Sequence, residues 1–287
     1  VDRGEYTVTL PFHICTVVHN ARPFLERQLE VFRELALPWT WSVCEGITPC
    51  PWAGKIEADM HNNGLSTDGT HEFLLDISKC PWGRVKLYRS DTYLTEKFQL
   101  MLADAKHQSL VVQVDADEMW STKQLETMAL MFDEQPTRTA AWFYDRFFVG
   151  PKLCLARGNG NGAGNMAYEW QRAWLWRPGC RYIRHDPPQV WGNINATGMA
   201  ILADLAVPPA HFFTREETAA AGLVFNHYAF ILPEQVKFKE TRYGFAGALD
   251  GWKRLQEVQQ LPVDIHDFLP WLGHGMVERA PEEHWWK

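Results

Sequence analysis

The stretch SLVVQVDADEMW, residues 109–120, decides how the rest of the chain reads, because a core-strand pattern there runs straight into three acids. Leu110, Val111, Val112 and Val114 form a short apolar run, mostly β-branched, of the kind that marks a strand covered on both faces. Asp115, Asp117 and Glu118 follow at once. Carboxylates are costly to bury without a partner, so acids at the emergence of a core strand hold a cation, line a polar cleft, or simply end the strand in a turn. In open α/β sheets the cleft lies at the carboxyl ends of the strands. Asp115 and Asp117 can point to a common side once the chain leaves the strand, and hard oxygen ligands suit Mg2+ or Mn2+ bridging to a phosphate.

Outward from this stretch, the pattern is one of alternating strands and helices. FHICTVV (12–18) reads as a first strand, and HNARP (19–23) leads into the amphipathic helix FLERQLEVFREL. WTWSVC (39–44) is a second strand ending in Glu45-Gly46, so strand, helix and strand predict a parallel pair. Residues 47–65, rich in Pro, Gly and Asn, read as a long surface loop, and loops of that length tend to be functional or mobile. Ser66-Thr67-Asp68-Gly69-Thr70 precedes the helix HEFLLDI, whose start Ser or Thr can cap. Strand 85–88 and helix 95–106 then deliver the chain to the acid-ended strand.

Beyond it, residues 123–132 read as helix and TAAWFYDRFF (139–148) as strand. RGNGNGAGN (157–165) is a turn whose Gly and Asn tolerate positive φ; it lacks the strand-and-helix context of a phosphate-binding glycine loop. YEWQRAWLW (168–176) and RYIRH (181–185) read as a strand pair joined at Arg177-Pro178-Gly179. Residues 223–230 carry His227 on an apolar stretch, and 235–249 and 251–260 read as helices. No internal repeat and no low-complexity linker interrupts the chain.

Composition sets the class. At 287 residues, 46% hydrophobic and 22% charged, the chain can bury a sizeable core as one large domain or two small ones. A net charge of −7 with scattered Lys and Arg argues against a whole-chain nucleic-acid or membrane-surface binder. No apolar run approaches the ~20 residues that span a bilayer, so a cytoplasmic protein with free thiols is the expectation. The six cysteines show neither a CxxC pair nor metal-ligand spacing. Asn195-Ala196-Thr197 matches the glycosylation tripeptide, a pattern common by chance. Fourteen tryptophans exceed the usual share; they read first as core residues and second as stacking platforms for sugars.

Four features now fall in one order: the first strand with its His19-Asn20 turn, Glu45 at the end of the second strand, the STDGT element, and Val114-Asp115-Ala116-Asp117-Glu118. Together they resemble the nucleotide-sugar glycosyltransferases of the GT-A fold, in particular glycosyltransferase family 2. The likeness spans about residues 10–245 and continues through QRAWLW (171–176), Arg181-Tyr182, His185-Asp186, and Asn226-His227-Tyr228-Ala229-Phe230 with Lys237 and Arg242.

The resemblance implies an α/β fold with a Rossmann-like, mostly parallel central sheet flanked by helices. It places a GT-A domain at residues 1–245 and a helical C-terminal extension at 246–287. It implies metal-dependent transfer of a sugar, with inversion, from a nucleotide-diphosphate donor, a UDP-sugar first, to an acceptor. That acceptor is open: a glycan, a lipid-linked sugar, a protein or a modified nucleic-acid base. Mn2+ or Mg2+ would be held by Asp115, Asp117 and His227. Donor contacts fall on Val18, His19, Asn20, Glu45, Asp68, Lys97, Asp115, Ala116, Lys237 and Arg242. An acceptor hydroxyl must lose its proton as it attacks, and Asp186, then Glu169, are the carboxylates in line for that task.

Residues 47–65 intervene where that family joins Glu45 and the STDGT element closely. Their place at the carboxyl edge of the sheet suits a lid, with Trp52 and Met60 as apolar contacts. Two other classes share some of these features. A nucleotidyltransferase would show a Gly- and Lys/Arg-rich loop after the first strand, which HNARPF is not. A non-catalytic carbohydrate- or nucleotide-binding module would keep the tryptophans and need no base.

Overall fold

The computed structural model describes residues 10–49, 61–81, 84–156, 171–185, 188–191, 193–194, 200–201 and 211–287. The first half alternates as expected: β1 (Phe12–Val18), α1 (Phe24–Arg33), β2 (Trp39–Glu45), α2 (Thr70–Ser78), β3 (Val85–Arg89), α3 (Leu94–Leu102) and β4 (Ser109–Gln113). After the acids come β5 (Glu118–Met119), α4 (Thr122–Glu134), β6 (Ala140–Trp142), β7 (Tyr144–Gly150) and β8 (Leu153–Leu155). β9 (Gln171–Trp176), β10 (Arg181–His185), β11 (Pro188–Trp191), β12 (Asn193–Ile194), β13 (Ala200–Ile201) and β14 (Phe212–Phe213) follow. The chain closes with α5 (Arg215–Ala220), β15 (Val224–His227), α6 (Pro233–Tyr243), α7 (Ala248–Gln256), β16 (Val263–Asp264) and β17 (Met276–Arg279).

The main sheet runs β14-β6-β9-β4-β1-β2-β3, and every neighbouring pair is parallel except those made by β9. β1 is its centre: FHICTVV is buried almost throughout and is flanked by β2 and β4 in parallel register. This is the mostly parallel α/β sheet that the strand-helix-strand order predicts. α1 covers it with Leu25, Gln28, Leu29 and Phe32, a helical stripe that meets Val18, Val112 and Phe132 in the largest core. α4 starts at a capping box, with Ser121 and Gln124 satisfying each other's backbone N–H groups. Trp39, Trp41, Trp120, Trp174, Trp176 and Trp252 are all core residues.

A second sheet, β16-β17-β8-β7-β15-β5, grows from the same chain. TAAWFYDRFF, read as one strand, is two, because the chain breaks at the buried Phe143 and passes β6 to the first sheet and β7 to the second. Among the described residues, QRAWLW and RYIRH do not pair with each other. β9 is buried on both faces and is inserted antiparallel between β4 and β6, whereas β10 buries only Tyr182 and pairs antiparallel with β11. The helix expected over 235–249 is two: Gly244, at φ 71, takes the left-handed position that ends α6, and Gly247 begins α7. The C-terminal extension opens with α7 and continues as β16 and β17, which join the second sheet and share a core with Phe147, Val149 and Leu155.

Among the described residues Cys15, Cys44, Cys80, Cys154 and Cys180 are free thiols, and no helix is long and apolar enough to cross a membrane. Trp52, Met60, Asn195, the glycine-rich turn at 157–165 and most of the expected lid lie outside the described residues.

Candidate active site at the carboxyl ends of the strands

The acids leave β4 on a turn that is pinned from beneath. Gln28, buried on α1, donates from Nε2 to the carbonyls of Asp115, Ala116 and Glu118 at 2.8, 3.1 and 3.0 Å. Above, the Tyr228 amide donates to the Asp117 carbonyl at 2.7 Å. Backbone carbonyls in irregular chain need such partners when buried. Gln28→Leu, which keeps the apolar stem and removes the donor, is expected to cost roughly 1–3 kcal/mol in urea unfolding, with faster hydrogen exchange across residues 115–118.

The two acids of the Asp-x-Asp turn to different partners. Asp115 accepts from Arg172 Nη2 on Oδ2 at 2.9 Å and from Gln113 Nε2 on Oδ1 at 3.1 Å. Arg172, from β9, also grips both oxygens of Glu118 at 2.6 to 3.1 Å, and the Asp115 amide donates to the same carboxylate. Glu118 is wholly buried and Arg172 is 3% exposed. Burial pushes the Glu118 carboxyl up, and the Arg172 guanidinium opposes it.

Asp117 faces the other way, towards β15 and α6. Its Oδ2 accepts from Gln235 Nε2 at 3.0 Å and lies 3.2 Å from Lys239 Nζ, while Oδ1 is 3.6 Å from His227 Nε2. Burial pushes the Asp117 carboxyl up, but Lys239 and His227 outweigh it and hold it well below the usual carboxylate range. Burial alone would lower the His227 imidazole; Asp117, with Asp145 behind, carries it to about 10.

With its Nε2 proton displaced, His227 would present a nitrogen beside the Asp117 oxygen. His227 Nδ1 is 3.3 Å from Asp145 Oδ2, the carboxylate support that metal-binding histidines ordinarily have. Among the described residues no three His, Cys, Asp or Glu side chains gather closely enough to hold an ion by themselves. The donor set fits Mg2+ or Mn2+ of the kind held by one or two protein groups and completed by substrate phosphates and water. Asp115, expected as a further ligand, is paired with Arg172.

At the neighbouring end of β2 the side chains are cationic. Lys97 is buried, with Nζ 2.6 Å from the Gly46 carbonyl and 3.0 Å from Thr48 Oγ1, and burial draws its ammonium down to about 8. Arg242, from α6, donates to the Thr48 carbonyl. Gly46 has φ 143, and a Cβ there would run into the Ser90 carbonyl, so only glycine lets the chain turn between these cations.

The STDGT element braces the end of β1. The amides of Asn20, Ala21 and Arg22 donate to Ser66 Oγ, Thr70 Oγ1 and Asp68 Oδ2, and the Thr67 amide donates to Asn20 Oδ1. Neither Ser nor Thr caps α2: its N-cap is Gly69 in the left-handed region, and Asp68 Oδ1, just before it, accepts from the Thr70 amide. Glu45, wholly buried, accepts from the Ser66 amide and meets His71. Val18 is buried beside Glu45 in the sheet, and the His19 ring lies 6.1 Å from Phe238 of α6. Lys237 is exposed, on a different face of α6 from Gln235, Lys239 and Arg242. Asp186 and Glu169 lie outside the described residues.

No protein-family model matches the chain, and no curated protein matches it. Solved structures do resemble it. Residues 1–349 of TarS from S. aureus share 13% identity over 58% of this chain and 47% of that one, with a TM-score of 0.40. The same fragment in complex with UDP-GlcNAc gives 14% identity over 56% and 38%, with a TM-score of 0.37. The mannosyltransferase PcManGT from Pyrobaculum calidifontis, in complex with GDP-Man and Mn2+, gives 17% identity over 47% and 35%, with a TM-score of 0.35. The chain spans less than half the length of each.

Five residues at the site carry no role in the sequence reading: Gln28, Asp145, Arg172, Gln235 and Lys239. Gln28 sits on the apolar stripe of α1, where a lone polar residue signals a buried partner. Asp145 is an acid inside a strand-like run, the same signal in another element. Gln235, Lys239 and Arg242 share one face of α6 at i, i+4 and i+7, a spacing readable once Arg242 is placed.

Proposed function

We propose that this chain is a nucleotide-sugar glycosyltransferase of the GT-A type, moving a sugar from a nucleotide-diphosphate donor, a UDP-sugar first, to an acceptor with inversion. The observation that carries the reading is that Asp117, His227 and Lys239 meet beyond β4 while Lys97 and Arg242 gather at Gly46 and Thr48 beyond β2, with Lys239 and Arg242 on one face of α6. A departing diphosphate develops negative charge, and fixed cations in a partly dry site stabilise it without reorganising. Asp117 and His227 would hold Mn2+ or Mg2+, which supplies further charge neutralisation to the diphosphate. Lys97 and Arg242, which meet the carbonyls of Gly46 and Thr48, would act on the phosphates from the β2 side. Residues 1–245 form the catalytic unit and 246–287 an extension packed on it, as the core shared by Val149, Trp252 and Val277 supports.

The rival nucleotidyltransferase reading needs free backbone amides after β1 to cradle a phosphate. Here the amides of Asn20, Ala21 and Arg22 are already donated to the STDGT element. Calorimetry with UDP and GDP, with and without Mn2+, tests the donor site. Binding is expected to tighten about tenfold or more with metal, a coupling of ~1.4 kcal/mol. Equal affinities would remove the metal, and binding of neither nucleotide would remove the donor site.

A further inference from the structure

β10 carries a bulge: Tyr182 pairs with Val190 and Arg184 with Gln189, so two residue steps on one strand match a single step on its partner. A bulge turns the residues beyond it to the opposite face. His185, three residues after Tyr182 and ordinarily on the other face, is thereby brought to the same side. Phe98 of α3 stacks on both rings, at 4.5 Å from Tyr182 and 5.6 Å from His185. Gln99 Nε2, next in that helix, donates to the Tyr182 carbonyl at 2.8 Å. The same helix sends Lys97 to the end of β2, so α3 ties His185 to the donor side.

The hydrogen bonds that lead from Asp115 to His185 have only one consistent direction. The Asp115 carboxylate, paired with Arg172, can only accept, so the Gln113 amide turns Nε2 towards it at 3.1 Å. Gln113 Oε1 then accepts, and it takes the single proton of the Tyr182 hydroxyl at 3.0 Å. The Tyr182 oxygen is left as an acceptor for His185 Nδ1 at 3.2 Å, so that nitrogen must carry the proton. In the neutral ring the lone pair is therefore on Nε2. Gln113 and Tyr182 are almost wholly buried, so water does not offer them an alternative.

We propose that His185 is the general base of the transfer, with Tyr182, Gln113 and Asp115 as the positioning residues that set its tautomer. This rests on the glycosyl transfer proposed above. The acceptor hydroxyl gives its proton to His185 Nε2 as its oxygen bonds to the anomeric carbon. The bond from that carbon to the diphosphate oxygen breaks, and its electron pair leaves with the nucleoside diphosphate. An imidazole whose tautomer is fixed by a hydrogen-bonded chain ending in a carboxylate is organised for this task in the way a triad histidine is.

Long-range proton–nitrogen NMR spectra of the full chain, at a pH where the ring is neutral, read the tautomer directly; His185→Gln assigns the signal. The Nδ1–H form is expected in the wild type, and Tyr182→Phe is expected to abolish that bias. Hydrolysis of UDP-glucose, UDP-GlcNAc and GDP-mannose with Mn2+ reads the base. His185→Gln is expected to slow it about 10²-fold or more with unchanged affinity for UDP and GDP, and Tyr182→Phe to lower kcat at unchanged KM. The Nε2–H form in the wild type overturns the proposal. So does His185→Gln at the wild-type rate, or activity lost in Asp186→Asn but kept in His185→Gln. A wild type that hydrolyses none of the three donors defeats the transferase reading, while the tautomer separately decides the relay.

Discussion

Arg172→Leu is expected to destabilise the fold by roughly 3–5 kcal/mol, because it strips the counterion from a carboxylate in the core. Glu118 is wholly buried, and both of its oxygens are bound by the Arg172 guanidinium, which also holds Asp115 Oδ2. Without Arg172, the buried Glu118 and the partly exposed Asp115, three residues apart, lose the guanidinium they share. Burial already raises the Glu118 carboxyl to about 7 against the opposing Arg172, and without the guanidinium it raises it further above the unfolded value. Stability from a raised group is lost as pH rises through the folded value, so the variant is expected to be less damaged at about pH 5 than at about pH 8. Urea unfolding at both pH values checks this. The double variant Glu118→Gln with Arg172→Leu is expected to recover part of the loss, since an uncharged core residue removes the stranded charge. Equal stability of Arg172→Leu and wild type would mean that the triad is not what holds the acids in place.

Asp117→Asn is expected to abolish the tightening of UDP or GDP by Mn2+ and to cut donor turnover by about 10²-fold or more, in line with removal of one preorganised electrostatic contact. A neutral amide is a poor ligand for a hard cation. It also leaves Lys239 and His227 without the carboxylate that each now faces at 3.2 and 3.6 Å. Asp115→Asn is the informative comparison. That acid is turned to Arg172 and Gln113, so its loss is expected to lower stability while leaving the larger share of the metal effect in place. Calorimetry on both variants separates the roles, and a metal effect lost only in Asp115→Asn would reverse the assignment.

Much of the frame was legible because its signals are local. The β-branched run before Asp115, the FHICTVV strand and the helical stripe of FLERQLEVFREL each announce an element within a few residues, and the parallel sheet follows from their order. What was not legible depends on partners far along the chain. QRAWLW gives no local sign that it lies between β4 and β6 rather than beside RYIRH; only its burial on both faces distinguishes an inner strand from a hairpin. The acids were readable as a candidate site, but not their division, which is set by Arg172 on one side and Lys239 on the other. The choice between Lys237 and Lys239 turns on the phase of α6 against Asp117, and a shift of two residues on a helix is a change of face.

The most direct test of the whole account is release of free sugar from UDP-glucose, UDP-GlcNAc and GDP-mannose by the purified chain in Mn2+, followed by mass spectrometry, since it needs no acceptor. The account predicts slow conversion of at least one donor to sugar and nucleoside diphosphate, lost in Asp117→Asn. Tight binding of the nucleotides with every donor left intact would contradict it and mark the chain as a binding module.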